Sequence, residues 1–435
     1  MNTKFFIGIA FFLLATLSGF AQDDINVYAD YRDGIALAQT KSRPLKYGAV
    51  DESGNIVVPL IYESIGLFSD GCAYVRLDKK YGFVNRNGKL ICPIKYQEVR
   101  AFKNGLAAVK LNWKWGYIDT KGNTVAKIQY GRVQDFTDGV GVVNKDGKYG
   151  IIDSKGRYIT KPQYDSISPF KNGIALIDNT TSRTNINIIK TDVKDVSPRM
   201  KIIETTYTET VSKNYMIGLI DLKGKVLLEP IYQEIQRLGD AYFLVSRGGK
   251  YGVFDSSGNQ LIPFIYDRHG WYYEGMLAVH RDKKCGFLDE KTGTEAVPTI
   301  YDDVDLFADG LAGFKKDNQW GFIDRLGNEV IPATYDKASH FSEGLAAVQK
   351  DGQWGFIDKT GKEVIPFSFK YVRSFKNGMA IVSIDDKYGY IDTTGCLVIP
   401  ARYVRVDNFG EKRARVSLSA NGKYFFIDRE GNKIE

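Results

Sequence analysis

Histidine is almost missing from this chain. Three occur among 435 residues, His269, His280 and His340, one in each of three copies of the repeat set out below. Neither H-E-x-x-H, nor G-x-S-x-G, nor a phosphate-cradling G-x-x-x-x-G-K-[ST] is present. Nothing in the residues proposes a catalytic centre, so no enzymatic activity is expected. Cysteine is nearly as scarce. Cys72, Cys92, Cys285 and Cys396 lack metal-site spacing, so no metal or other cofactor is expected and disulfides do not hold the fold. Cys72 and Cys92 are expected on strands flanking a common central strand, about 10 Å apart and out of bridging range. There they would serve as small buried hydrophobes.

Charge of one sign is also lacking. Lys and Arg number 59 against 52 Asp and Glu, interspersed along the chain, for a net charge of +7. That balance favours solubility and gives no reason to expect nucleic acid as a partner. Long apolar runs occur in one place only. After Met1 to Lys4 comes FFIGIAFFLLATLSGF, Phe5 to Phe20, with Gly19 and Ala21 at −3 and −1 of a cleavage point. Residues 1–21 read as a secretory signal peptide, too short for an ordinary membrane span. The mature protein is expected to begin at Gln22 and to be exported, whether to the periplasm, the outer surface or the medium. No later run would cross a bilayer, so no transmembrane segment is expected after signal cleavage.

Aromatics and glycine are abundant instead: 27 Tyr, 25 Phe and 44 Gly. With 43% hydrophobic residues, this composition excludes disorder. Their spacing shows why they are there. Gly follows an aromatic or its stand-in at 48, 82, 116, 150, 218, 252, 286, 321, 355 and 389, in steps of 34 or 35 apart from one of 68. Three residues after that slot stands Asp or Asn, with Gly three further on in nearly every copy. Eleven after it Pro recurs, fourteen after it Tyr, and twenty after it Phe. Reading the 68-residue step as two periods places a degenerate copy at Arg183-Thr184, with Asn187 in its Asp column. A final copy at Tyr424-Phe425 completes about twelve.

A 34-residue period also suits helical arrays, but Gly and Pro are too frequent here for helices. Each copy alternates small and apolar residues, as in GLAAVKL (Gly105 to Leu111), then runs through WGYID (Trp115 to Asp119) into an apolar β-forming stretch such as NEVIP (Asn328 to Pro332). D-x-x-G supplies a type I turn: Asp bonds its own backbone, and Gly takes positive φ. The twelve acidic slots could also be imagined as a calcium ladder. Calcium loops, however, cluster several acids, and even Asp302, Asp303 and Asp305 lack that pattern. The turn reading is preferred. The fold class expected is all-β: a tandem array of about twelve 34-residue, three-stranded antiparallel repeats, open and solenoid-like or superhelical, with β-propeller-like closure as the alternative. The segment Y-x-x-h-x-x-F-x-x-G, where h is apolar, has period three and is expected to join repeats as a turn or short bridge rather than a strand. The aromatic, Tyr and Phe columns are expected to stack through the interior.

The run Phe341 to Asp358, FSEGLAAVQKDGQWGFID, with the recurring V-I-P and Y-D, resembles the WG repeat family of bacterial β-repeat proteins over residues 31–435. Trp holds its slot only at 115, 320 and 354. The resemblance implies an exported or envelope protein whose repeats are not generally assigned a reaction. The expected organisation is a leader at 1–21, repeats over 22–179, a degenerate repeat at 180–211 and further repeats over 212–435.

Aromatics outside the register are the candidate contact residues. Trp113 falls in a hairpin loop, and Trp271 and Tyr273 flank Tyr272, which occupies the Phe column. The basic group Lys412, Arg413 and Arg415, with Arg402 and Arg405 nearby, reads as a solvated loop with an acidic partner as the sharper alternative. The function expected is a noncatalytic scaffold that binds a protein partner at the cell envelope; carbohydrate or cell-wall binding through exposed aromatics is the alternative.

Overall fold

The computed structural model describes residues 24–179, 181–197, 200–214 and 216–434, with side chains described for 24–179 and 216–434. The expected leader lies outside them. Two compact units divide at Ile231 and Tyr232. Every named element is a β-strand, and successive chain segments build separate antiparallel sheets, the first from residues 25–62 and the last from 405–434.

Ten of these sheets carry four strands in meander order and one carries three, where three per repeat were expected. The additional strand comes from the joining segment. Glu98 and Val99, for example, pair with Lys110 and Val109 before the chain turns toward Phe102. Two residues are too few to display an alternating pattern, so the period-three spacing around them concealed the pairing. Three longer strands follow in that sheet, Leu106–Leu111, Lys114–Asp119 and Thr124–Tyr130.

Two of the sequence columns have one structural cause. Between the second and third long strands the register shifts in nine of the eleven sheets. In the sheet containing Trp354, that residue faces Phe369 while Phe356 faces Ile365, so the third strand carries two more residues over the same span. This bulge brings backbone against the second strand. A Cβ at Gly355 would stand 2.7 Å from the Ile365 carbonyl oxygen, and one at Gly116 would stand 2.6 Å from that of Ala126. Glycine is therefore required opposite the bulge, and Pro366 sits inside it, where no ladder N–H is needed. Proline on this outermost strand also blocks edge-to-edge pairing.

The D-x-x-G turn forms as expected. The Asp358 N–H donates to the Lys362 carbonyl at 3.0 Å, Gly361 N–H donates to the Asp358 carbonyl at 3.0 Å, and Gly361 has φ +84°.

Each regular sheet is buried on both faces. Ala346, Val348 and Ile357 pack with Leu311, Phe322 and Ile331 of the preceding sheet, whereas the intervening Leu345, Ala347 and Phe356 pack with Ala380, Val382 and Ile391 of the next. Small residues in the first long strand permit this close stacking. The Phe column then locks neighbours together. Phe341 meets Phe322 of the preceding sheet with ring centroids 4.8 Å apart, and Phe375 meets Phe356 at the same distance. Phe102 with Phe83 and Phe136 with Tyr117 repeat the contact at 4.9 Å. Each fully buried ring contributes roughly 1.5 to 3 kcal/mol, with about 0.5 to 1.5 kcal/mol more from the aromatic pairing.

The stretch 180–211 departs from expectation. Ile174–Asp178 pairs directly with Ile217–Asp221, so these are the first and second long strands of one sheet. What lies between is an inserted hairpin, Thr181–Ser197 paired with Met200–Asn214, rather than a degenerate repeat. Among the described residues the repeating sheets consequently number eleven. An insertion close to one period in length leaves the spacing arithmetic intact, which is why it read as a twelfth copy.

Candidate functional site

The expected contact residues are exposed, and they occupy two different places in their sheets. Trp113 is the second residue of the tight turn between Leu106–Leu111 and Lys114–Asp119, where Asn112 and Trp113 both have positive φ, 49° and 62°. Its backbone N–H donates to Gln97 Oε1 at 2.9 Å, and its ring is 75% exposed with the Lys110 ammonium 5.4 Å from the centroid. Trp271 and Tyr273 lie on Arg268–Tyr273, the leading strand of their sheet, at the opposite end from that sheet's corresponding turn. They are 68% and 54% exposed. The Tyr272 hydroxyl between them donates to Glu290.

His269 and His280, expected in separate copies, share one sheet: His269 pairs with Val279 and Arg268 with His280. His340 belongs to a later joining segment. His280 Nδ1 lies 3.0 Å from Cys285 Sγ, the spacing of a thiol–imidazole couple. Burial pushes the Cys285 thiol up to about 11, while burial and the neighbouring Arg268 lower His280. Both shifts oppose a thiolate–imidazolium pair. Cys72 and Cys92 are free and buried in one cluster, as expected, and burial drives Cys92 to about 11.

The acidic column is occupied by its own turns. Asp358 Oδ1 accepts from the Thr360 hydroxyl at 2.6 Å and from the Thr360 and Lys362 amides at 2.8 and 3.0 Å. The hydroxyl is the main cause holding Asp358 below the usual carboxylate range, and the amides add to it. Asp302, Asp303 and Asp305 disperse to separate partners: Lys284, the Val304 amide and His340. Among the described residues no three His, Cys, Asp or Glu side chains converge as a metal set would. The basic group is similarly engaged. Arg405 and Arg415 lie 5.0 and 4.5 Å from the Tyr424 ring centroid, and Arg413 lies 4.1 Å from that of Phe426. Arg415 also pairs with Asp407 at 2.7 Å.

The joining segments form clefts that the sequence reading missed. In the second unit one of about 560 Å³ is lined by Ser339, His340, Trp354, Arg373, Lys376 and Asn408 among others. In the first unit one of about 280 Å³ is likewise built from joining segments, with Arg100, Lys103, Gln134, Asp135 and Thr137 on its wall. The signal was present as R-x-F-K-N-G, which occurs at Arg100 to Gly105 and again at Arg373 to Gly378.

Local sheets stacked through buried ring columns, with clefts at their connections, define a tandem β-repeat protein. A family model described as WG containing repeat matches ten consecutive segments between residues 47 and 424, interrupted only at 179–216, where the hairpin is inserted. The chain belongs to that family. No curated protein matches it. Among solved structures it is similar to Hsv2p of Kluyveromyces lactis, at 12% identity over 45% of this chain and 74% of that one, with a TM-score of 0.29. The extracellular domain of a putative hybrid two-component system from B. thetaiotaomicron gives 9% identity over 94% of this chain and 63% of that one, with a TM-score of 0.25. A eukaryotic initiation factor gives 10% identity over 93% of this chain and 96% of that one, at 0.30. Likenesses this distant carry no argument about function.

Proposed function

We propose that this protein is a noncatalytic, exported repeat scaffold that binds a protein partner through its joining segments and hairpin turns. One observation carries the reading. The columns that recur in every copy are consumed by bulge, turn and sheet stacking, whereas the positions that vary without disturbing them lie on those connections. Surfaces of that kind are where repeat proteins accommodate partners. The buried, protonated thiols and the dispersed acids support a role without bond-making. The chain's first 21 residues support export.

Affinity capture from an envelope fraction with the full chain as bait tests this. Recovery of a defined partner, diminished by Trp113→Ala or Trp271→Ala, is the expected result. The exposure of Trp113, Trp271 and Tyr273 favours a second reading, glycan or cell-wall binding by ring stacking. Glycan binding lost in the same variants, with no protein recovered, would replace the first reading by the second. A fall in melting temperature in either variant would instead assign its ring to the interior.

A further inference from the structure

Both clefts include the R-x-F-K-N-G motif, as the first of three joining segments at one and the middle segment at the other, and the residue thirty-five positions after its Arg differs between them. At the first, Arg100 Nη1 is held by Asp135 Oδ1 at 3.0 Å. Asp135 stands nineteen residues after its sheet's slot glycine, Gly116, and nineteen after Gly389 stands Asn408. Asn408 lines the second cleft beside Arg373 and Lys376. The carboxylate that neutralises the first guanidinium is thus an amide at the second.

The other charges around the second cleft are already matched. Asp305 pairs with His340 at 3.5 Å, Asp407 pairs with Arg415 and acts on Arg373 only from beyond ion-pair distance, and Arg373 donates through Nε to the Tyr371 hydroxyl at 3.0 Å. Among the described residues, neither Arg373 nor Lys376 has a carboxylate at ion-pair distance, and both are exposed. The hydroxyls of the cleft are spoken for: Ser339 donates to the Ala347 carbonyl at 3.2 Å, Ser342 to the Phe375 carbonyl at 2.8 Å, and Ser374 to Ser339 at 3.3 Å. With those hydroxyls engaged, donors remain on Arg373 and Lys376, and a cationic donor is matched better by a carboxylate than by the neutral hydroxyls of a sugar. Two cations without an ion pair, beside the apolar walls of Val372, Ala347 and Trp354, suit carboxylates carried on a peptide.

We propose that the cleft at Arg373 and Lys376 receives an acidic segment of a protein partner, and that its counterpart at Arg100 and Lys103 is kept from doing so by Asp135. This rests on the scaffold reading above and names the partner's chemistry. Fluorescence anisotropy with the full chain tests it, using a labelled proline-rich peptide bearing two Glu three positions apart, the same peptide with Gln in their place, and polygalacturonate as an anionic glycan.

The Glu peptide binds and the Gln peptide does not, and added salt weakens binding because the contact is surface-exposed. Arg373→Gln with Lys376→Gln weakens it about tenfold or more, roughly the value of one charge-assisted contact. Asn408→Asp, which installs the first cleft's arrangement, weakens it likewise, and Asp135→Asn adds a second equivalent of bound peptide. Thermal midpoints of all variants stay at the parent value, which separates lost contact from lost fold. Equal binding of the Glu and Gln peptides, or binding insensitive to Asn408→Asp, overturns the proposal. If neither probe binds while envelope capture still recovers its partner, only the cleft assignment falls. If polygalacturonate alone binds, the protein-scaffold reading falls with it.

Discussion

Two joining segments of the second unit occupy the same register and come to opposite ends. In residues 337–344 the column ring, Phe341, is 1% exposed and packs on Phe322. In residues 268–275 the column ring, Tyr272, is 43% exposed, with Trp271 and Tyr273 beside it. The difference begins one sheet earlier. The residue after the slot glycine is aromatic where the column ring is buried (Phe83, Tyr117, Phe287, Phe322, Phe356 and Tyr390), but the corresponding residue for Tyr272 is Val253. A ring without a ring to meet gains less by turning inward, and the segment gives its aromatics to the surface. Interior and exposed surface are thus alternative placements of one column ring, following its neighbour.

The largest expected effect separates the two segments by stability. Phe341→Ala should cost about 3 to 5 kcal/mol in denaturant unfolding, the range for emptying a buried ring site. Trp271→Ala should stay within about 0.5 kcal/mol, as an exposed side chain does. Comparable losses would erase the distinction. Glycine substitutions sharpen it further. Gly355→Ala drives a methyl onto the Ile365 carbonyl and should cost about 1 to 3 kcal/mol. At Gly270 a Cβ meets the Ala278 Cβ at 3.3 Å, His280 Nε2 at 3.5 Å and the Ala278 carbonyl oxygen at 3.9 Å, so Gly270→Ala should shift the melting midpoint far less.

A smaller effect belongs to the turns of the regular sheets. Asp358 is held below its ordinary value in the folded chain, so its contribution is fully present above the unfolded carboxylate pKa, near 3.9, and is lost as pH falls through the folded value. The midpoint should decline below about pH 4, and Asp358→Ala should flatten part of that decline; an unchanged acid profile in the variant would contradict the turn assignment. The smallest effect is chemical. A thiol reagent at neutral pH should modify Cys396, which is exposed, and spare Cys72, Cys92 and Cys285, including the one beneath the irregular segment. Rapid labelling of Cys285 would mean that its sheet opens.

The repeat was legible because its columns answer to backbone requirements. Gly355 and Pro366 mark a bulge, and Asp358 marks a turn, whatever else surrounds them. The leading strand at Glu98 and Val99 was not legible, since two residues carry no alternation. The inserted hairpin escaped because its length imitates the period. Trp113, Trp271 and Tyr273 stood out as departures from a pattern. Arg373 and Asn408 did not, because the contrast with Arg100 and Asp135 becomes meaningful only once the clefts place each pair together.

Amide hydrogen exchange across the intact chain tests most directly whether stacked sheets form the interior and joining segments the working surface. Protection should be highest in Leu345–Lys350 and Gln353–Asp358 and should drop to its lowest described level over residues 268–275. Protection over 268–275 equal to that of the two long strands would contradict the account, since it would place Trp271 and its neighbours inside the fold.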